Sequence, residues 1–160
     1  MGIAEKDIFY MQKAFELAHK AEQQGEVPVG AVVVLNDEIV GEGWNQPISS
    51  NDPTAHAEVM ALRDAGQRLD NYRLPETTLY VTLEPCPMCA GAIVHARVKR
   101  LVFAARDPRS GAAGSVFDLL PSDQRFNHYT LVDQGVMAQE ASSLLSDFFR
   151  KRRQQKSQQK

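Results

Sequence analysis

Two cysteines and a histidine–glutamate pair are the residues of this chain whose types and spacing suggest chemistry. Cys86 and Cys89 stand three residues apart, and His56 lies thirty residues before Cys86, with Glu58 close behind it. Two thiolates and one imidazole supply three protein ligands for Zn²⁺ and leave the fourth tetrahedral position for water. Such an open position predicts a catalytic zinc site.

The cysteines lie between an apolar, strand-like run at 79–83 and a helical run of small residues at 90–94. This order predicts that both sulfurs lie on the first turn of a helix. There the unpaired N–H groups and the helix dipole favour the thiolate, which is the form that binds metal.

The histidine and the glutamate are predicted to lie in the first turns of another helix, capped by Thr54 and running to about Asp64. Residues two positions apart point about 200° apart around a helix, so they do not share one face. We therefore expect His56 to bind the metal and Glu58 to lie beside the bound water.

These residues are also compatible in part with a structural zinc site or with a redox role. A structural zinc site needs four protein ligands, so either His95 or His128 would have to complete the set. A thioredoxin-like redox role for the Cys-Pro-Met-Cys run leaves His56 and Glu58 unexplained.

The segments His-Ala-Glu and Pro-Cys-Pro-Met-Cys together resemble the signature of the zinc-dependent nucleoside and nucleobase deaminases. Longer stretches resemble, within that superfamily, the bacterial tRNA-specific adenosine deaminases. These stretches are 26–31, 41–45, 52–58, 105–107, 111–115 and 146–150.

The resemblance implies an α/β fold with three layers, α/β/α, in which helices cover both faces of a central five-stranded mixed sheet, as in cytidine deaminase. It also implies hydrolytic deamination of the wobble adenosine in a tRNA anticodon loop to inosine. In that reaction zinc-activated hydroxide attacks C6, Glu58 shuttles the proton, and ammonia leaves. One Zn²⁺ per subunit, a homodimer and no organic cofactor are further implications.

Substrate contacts also follow from the resemblance alone. Asn45 is expected to present a donor and an acceptor to the purine edge. Asp107 is expected to accept a hydrogen bond from a ribose hydroxyl, although a turn-capping role explains it equally well. The complete expected set is Val29, Asn45, Ala57, Asp107, Phe149, Arg150 and Arg153.

The same chemistry on another base is the nearest alternative. The catalytic quartet does not separate a tRNA deaminase from a cytidine, deoxycytidylate or guanine deaminase that acts on a free small molecule. Asn45, the 105–107 segment and the basic end helix favour the tRNA substrate.

The surrounding elements are predicted from hydrophobic periodicity. Residues 98–105 are expected to pair in parallel with the strand at 77–83, with the cysteine helix between them. The remaining predictions are a first helix at 7–24, a hairpin at 27–35 and 38–43 turning at 36–37, a loop and short helix at 107–120, a fifth strand at 129–135 and a last helix at 137–153.

Composition limits the organisation of the chain. With 160 residues and 43% hydrophobic content, we expect a single deaminase domain over 1–153 and a polar, disordered tail over 154–160. No apolar run is long enough for a membrane span or a signal peptide, which predicts a cytoplasmic protein. Residues 150–160 carry a charge of +6 on a body of −8, an asymmetry that suits a polyanion such as RNA.

Overall fold

The computed structural model describes residues 2–120, 123 and 125–158. The elements in chain order are α1 (Ile3–Gln23), β1 (Gly30–Leu35), β2 (Glu38–Trp44), α2 (Ala57–Leu69), β3 (Thr78–Leu83), α3 (Pro87–Ala96), β4 (Arg100–Ala105), β5 (Leu131–Gln134) and α4 (Ala138–Gln158).

The five strands form one sheet in the order β2-β1-β3-β4-β5. β1 pairs antiparallel with both β2 and β3, whereas the pairs β3–β4 and β4–β5 are parallel. The parallel pairing on either side of the cysteine helix is therefore confirmed, as is the mixed character of the sheet.

Two apolar cores lie on opposite faces of the sheet, because successive side chains of a strand alternate between faces. Val33 and Val81 pack with α2 and α3, whereas Val32 and Tyr80 pack with α1 and the start of α4. Both faces of the central strands are thus buried, which explains their continuous apolar sequences. The predicted three-layer α/β/α fold is confirmed.

The hairpin forms where the sequence predicts it. Asn36 and Asp37 both have positive φ angles, 50° and 63°, as a two-residue type I′ turn requires. The register between β1 and β2 shifts between Val33 and Val34, which marks a β-bulge.

The glycines of the hairpin lie against the backbones of two helices. A Cβ on Gly30 would overlap the α1 backbone at Ala14 and Ala18. A Cβ on Gly43 would overlap the α2 backbone at Ala57 and Ala61. Small residues on both sides let the two helices approach the hairpin closely from opposite faces.

The start of α2 corrects the prediction that Thr54 caps it. Thr54 donates from its amide and hydroxyl to Asp52 Oδ1, at 2.8 and 2.7 Å, and so belongs to the preceding turn. His56 is the N-cap instead, with an extended backbone at φ −72° and ψ 153°. The helix continues to Leu69, beyond the predicted end at Asp64.

Two more expectations about local structure are wrong. No helix forms in 107–120, where the described residues make turns and one isolated bridge between Ala113 and Asp118. The last helix reaches Gln158, so residues 154–158 are helical and not irregular, because their Gln and Lys residues are good helix formers. Residues 159 and 160 lie outside the described residues.

Membrane insertion finds no support in the helices. Within the described ranges, none is both long and apolar enough to span a bilayer. The longest helices, α1 and α4, each have 21 residues and carry charges along their exposed sides.

A buried ion pair connects α1 to the sheet. Asp7 accepts two hydrogen bonds from the Arg100 guanidinium, at 2.8 and 2.7 Å, and one from the Tyr80 hydroxyl at 2.7 Å. Arg100 also donates to Asp133 at 2.8 Å. Since Asp7 is 6% exposed, loss of its charge leaves Arg100 with a single acidic partner.

We predict that Asp7→Asn lowers the free energy of unfolding at pH 7 by about 2–4 kcal/mol, as measured by urea denaturation. Asp37→Asn is the control, because it removes an exposed partner of Lys6 and should cost less than about 1 kcal/mol. Equal losses in the two variants would contradict a special role for the buried pair.

The same contribution depends on pH. Burial raises the pKa of Asp7, but the hydrogen bonds from Arg100 and Tyr80 outweigh it and bring the pKa below the ordinary 3.8. The stabilisation is therefore complete above about pH 4 and is lost as pH falls through the lowered pKa. The difference in stability between wild type and Asp7→Asn should narrow in that acidic range.

Candidate active site

His56 reaches the site because it is the last extended residue before α2. Its carbonyl accepts the first helical bond, from the Met60 amide at 3.0 Å, while its extended backbone frees the side chain from the helical surface. The half-buried imidazole then lies beside the start of α3.

The cysteines occupy the start of α3, as predicted. Cys86 is the N-cap, with φ −77° and ψ 172°, and Pro87 is the first helical residue. Proline suits that position because its φ is fixed near the helical value and the missing N–H has no partner there in any case. Cys89 follows in the first turn and is fully buried.

The three candidate ligand atoms meet at one point. His56 Nδ1 lies 3.6 Å from both Cys86 Sγ and Cys89 Sγ, and all three atoms lie within 4.8 Å of one another. A tetrahedral zinc with bonds of about 2.3 Å to sulfur and about 2.0 Å to nitrogen separates such ligands by about 3.6 Å. The donor set and its spacing therefore fit Zn²⁺.

The pKa values of the two sulfurs shift in opposite directions. A hydrogen bond from Cys89, with a second from His56, lowers the pKa of Cys86 to about 4. The same bond and burial raise the pKa of the Cys89 thiol. A divalent cation that binds both sulfurs displaces the remaining proton, so binding releases it to solvent.

Glu58 lies beside the ligand group in the first turn of α2. Its carboxyl is 4% exposed, and this burial raises its pKa to about 7. A buried carboxyl with a pKa near neutrality can both accept and donate a proton at working pH. The division of roles predicted for His56 and Glu58 agrees with this geometry.

A groove of 620 Å³ lies between the end of β4, the loop after it and α4. Asp107, Phe149 and Arg153 line it, and none of the ligand residues does. Leu83, at the end of β3, lies on its floor three residues before Cys86.

Residues 4–105 match the model of the cytidine and deoxycytidylate deaminase zinc-binding region. The chain belongs to this family. The resemblance seen in the motifs is thus confirmed, and the matched range contains His56, Glu58 and both cysteines.

Similar proteins refine the comparison. The tRNA-specific adenosine deaminase of Haemophilus influenzae is 55% identical over 154 residues, covering 96% of this chain and 88% of the relative. The enzyme of that name from Bacillus subtilis is 46% identical over 151 residues, covering 94% and 93%.

Solved structures give the same fold. One from a study of A-to-I editing by tRNA:A34 deaminases at the wobble position of transfer RNA aligns with a TM-score of 0.83 and 40% identity, covering 86% of this chain and 99% of that chain. The guanine deaminase of Bacillus subtilis aligns with a TM-score of 0.60 and 43% identity, covering 67% and 69%.

Three of the expected contact residues are committed to the protein itself. The Asn45 side-chain oxygen accepts the Ala57 amide at 2.9 Å, which leaves its NH₂ group and one lone pair of the oxygen for a ligand. The Asn45 amide in turn donates to the Val29 carbonyl at 3.1 Å. Val29 is 3% exposed and lies in the apolar core.

Of the other expected contact residues, Asp107, Phe149 and Arg153 line the groove, whereas Arg150 is exposed to solvent. Asp107 accepts bonds from the Arg109 and Ser110 amides and from the Ser110 hydroxyl, at 3.0, 3.4 and 3.0 Å, so it caps its own turn. Arg150 pairs with Asp147 on the exposed side of α4 and does not line the groove.

Two buried glutamates, Glu26 and Glu84, are not among the site residues predicted from the sequence. Glu26 accepts the Ile48 and Ser49 amides at 3.2 and 2.7 Å. Glu84 lies between the end of β3 and Cys86 and is 2% exposed. The sequence shows only that a charged residue stands next to an apolar strand. This pattern does not reveal which groups the carboxylate contacts.

We predict that the wild-type chain binds one zinc ion and that Cys89→Ala or His56→Ala binds far less, as measured by elemental analysis after dialysis. Each variant leaves only two of the three ligand atoms. His95→Ala is the control, because this exposed histidine lies on α3 outside the ligand group, and it should retain zinc fully. Loss of zinc from His95→Ala would show that the ligand set is wrong.

Proposed function

We propose that this protein hydrolyses the wobble adenosine of a tRNA anticodon loop to inosine and releases ammonia. The observation that carries the proposal is the open three-ligand group of His56, Cys86 and Cys89 beside the buried Glu58. The choice of a tRNA adenosine as substrate is supported by the relatives, since a protein named for that activity is 55% identical over nearly the whole chain.

Zinc bound by these three residues supplies Lewis acidity that makes a water molecule acidic enough to ionise near neutral pH. Glu58 accepts the proton of the attacking water and delivers protons to the base and to the departing amine. Its burial favours this shuttle because the neutral and ionised forms are close in free energy at a pKa of about 7. Water adds at C6, the C6–N bond breaks, and ammonia carries the nitrogen away.

The substrate is held, in this proposal, by both sides of the site. The Asn45 NH₂ group donates to the purine edge, because its oxygen already accepts the Ala57 amide. In the groove, Phe149 offers a stacking surface and Arg153 a positive charge for a phosphate. Asp107 faces the ribose from the opposite wall, which the loop after β4 forms. Val29 and Ala57 hold Asn45 in place through their backbone groups.

An RNA loop suits the site better than a duplex, because its base is already unstacked and can turn into a pocket at little cost. Helix α4 carries positive charges on Arg150, Lys151, Arg152, Arg153 and Lys156, of which Arg153 lines the groove. These charges steer a polyanion toward the site and make binding depend on salt.

The proposal extends to a homodimer that holds one zinc ion per subunit and works in the cytoplasm, where tRNA is found. A shallow, partly apolar cavity between α2 and α3 supports the dimer, and exposed Tyr72 stands at its edge. Sedimentation equilibrium tests it, since a species of one chain mass at micromolar concentration would exclude the dimer.

A guanine deaminase that acts on a free base is the second candidate, favoured by the 43% identity with such an enzyme over two thirds of the chain. It would use the same ligand group and the same glutamate. The two candidates differ in substrate size, since only the tRNA reading gives the groove and α4 a role.

We predict that the zinc-loaded chain forms inosine at the wobble position of a tRNA and that Glu58→Ala lowers kcat by about 10²- to 10⁴-fold while retaining zinc. Inosine is read by sequencing, ammonia by assay, and free adenosine, cytidine and guanine are incubated in parallel. Ammonia from a free base without any product in tRNA would overturn the tRNA proposal and leave the small-molecule candidate standing.

We predict that Asn45→Asp raises KM for the anticodon stem-loop about tenfold, because Asp keeps the acceptor for Ala57 but has no NH₂ donor. A substrate with 7-deazaadenosine at the target position is the matched partner, since it lacks the N7 acceptor. If the amide donates to N7, the variant and the wild type should process the deaza substrate equally poorly. A full additional loss in the variant would place the Asn45 contact elsewhere.

A further inference from the structure

Glu84 connects the metal-ligand segment to one wall of the groove. It lies two residues before Cys86, and its amide donates to the Ala105 carbonyl at the end of β4, at 2.8 Å. Its carboxylate points into the loop that follows β4. Because this loop carries Asp107 at the mouth of the groove, the position of the wall is coupled to the position of the zinc ligand.

Four donors of this loop bond to the Glu84 carboxylate. Oε1 accepts the Asp107 amide at 3.0 Å and the Ser115 hydroxyl. Oε2 accepts the Ala113 and Ser115 amides, at 2.9 and 3.1 Å. Both ends of segment 107–115 are thus bound to one side chain, in a stretch that lacks any helix to hold it.

The loop packs tightly around the Glu84 carboxylate. A Cβ added to Gly111 would overlap the Glu84 carboxylate and the Asp107 carbonyl. The Ala112 amide donates to the carbonyl of Pro85 at 2.8 Å, so the loop also bonds to the backbone next to Cys86. Segment 107–115 therefore surrounds the Glu84 carboxylate, and its position depends on the position of Glu84.

We propose that Glu84 is a positioning residue for the deamination reaction: it fixes segment 107–115, whose residues 107–110 line the groove, relative to the zinc site, so that RNA held in the groove presents its base at the correct distance from the reacting groups. The proposal rests on the tRNA substrate proposed above. It gives a reason for a buried charge that has no part in metal binding or proton transfer. A displacement of about 1 Å between bound substrate and reacting groups can cost about 10²-fold in rate.

Glutamate is the residue type that this arrangement needs. A carboxylate accepts at both oxygens, and each oxygen here receives two donors. Glutamine has the same shape but replaces one oxygen by an NH₂ group, which would face N–H donors. Glu84→Gln therefore removes one of the two acceptor oxygens without removing volume.

The test uses the zinc-loaded full chain and compares Glu84→Gln with the milder Ser115→Ala, which removes one of the four donors. Three quantities are measured: zinc content, hydrogen exchange of the Asp107, Ala113 and Ser115 amides, and kcat and KM for an anticodon stem-loop. Zinc content should not change. Exchange should accelerate at all three amides, and kcat/KM should fall about 10- to 100-fold in Glu84→Gln, mostly through KM. Ser115→Ala should show the same changes at smaller size.

Asp7→Asn is the matched control, because it also neutralises a buried, hydrogen-bonded carboxylate but lies on the opposite face of the sheet. It should lower stability while leaving loop exchange and KM as in wild type. A comparable rise in KM in Asp7→Asn would assign the effect to general destabilisation and overturn the proposal. Unchanged KM in Glu84→Gln with normal exchange would overturn it too.

Two remaining outcomes are also decisive. If Glu84→Gln does not fold, Ser115→Ala decides by the same criteria. If the wild-type chain forms no inosine in RNA, the proposed function fails. The hydrogen-exchange data then test separately whether Glu84 holds segment 107–115. Amides that remain protected from exchange in Glu84→Gln would refute that role.

Discussion

The meeting of two helix N-termini is the constraint on which the rest of the structure depends. His56 precedes α2 and Cys86 precedes α3, so three donor atoms converge only if both helices begin at the same place on one face of the sheet. The separation of 3.6 Å between nitrogen and sulfur leaves little tolerance for helix movement. Packing must therefore fix α2 and α3 before any metal binds.

Small residues supply that packing. Gly43 of β2 lies directly against the α2 backbone at Ala57 and Ala61, where any side chain would push the helix away. On the same face, Ala90 and Ile93 of α3 join the core built on β3 and β4. The close contact of α2 with β2 sets how far His56 reaches, which links a glycine in a strand to the geometry of a metal ligand.

Side chains bonded to backbone groups shape the irregular segments around the ligands. Asn45 satisfies the first free amide of α2, Glu26 holds residues 48–49, and Glu84 holds both ends of 107–115. Buried acceptors of this kind are stable only when donors fill them, and backbone amides outside regular elements need acceptors in turn. Each loop around the site is consequently ordered by one polar side chain from a neighbouring strand or turn.

The sequence by itself determined the parallel pairing around α3 and the order of the strands, and it predicted the three candidate ligands and the candidate proton-transfer residue. These features are local, because a motif of five residues or the period of an apolar run contains them in full. The tertiary structure alone decided that His56 is the cap of α2, that Asp107 bonds to its own turn and that Arg150 points away from the groove. It also decided what Glu84 contacts. Such properties depend on which distant backbone groups lack partners after the chain has folded, and no local pattern records that.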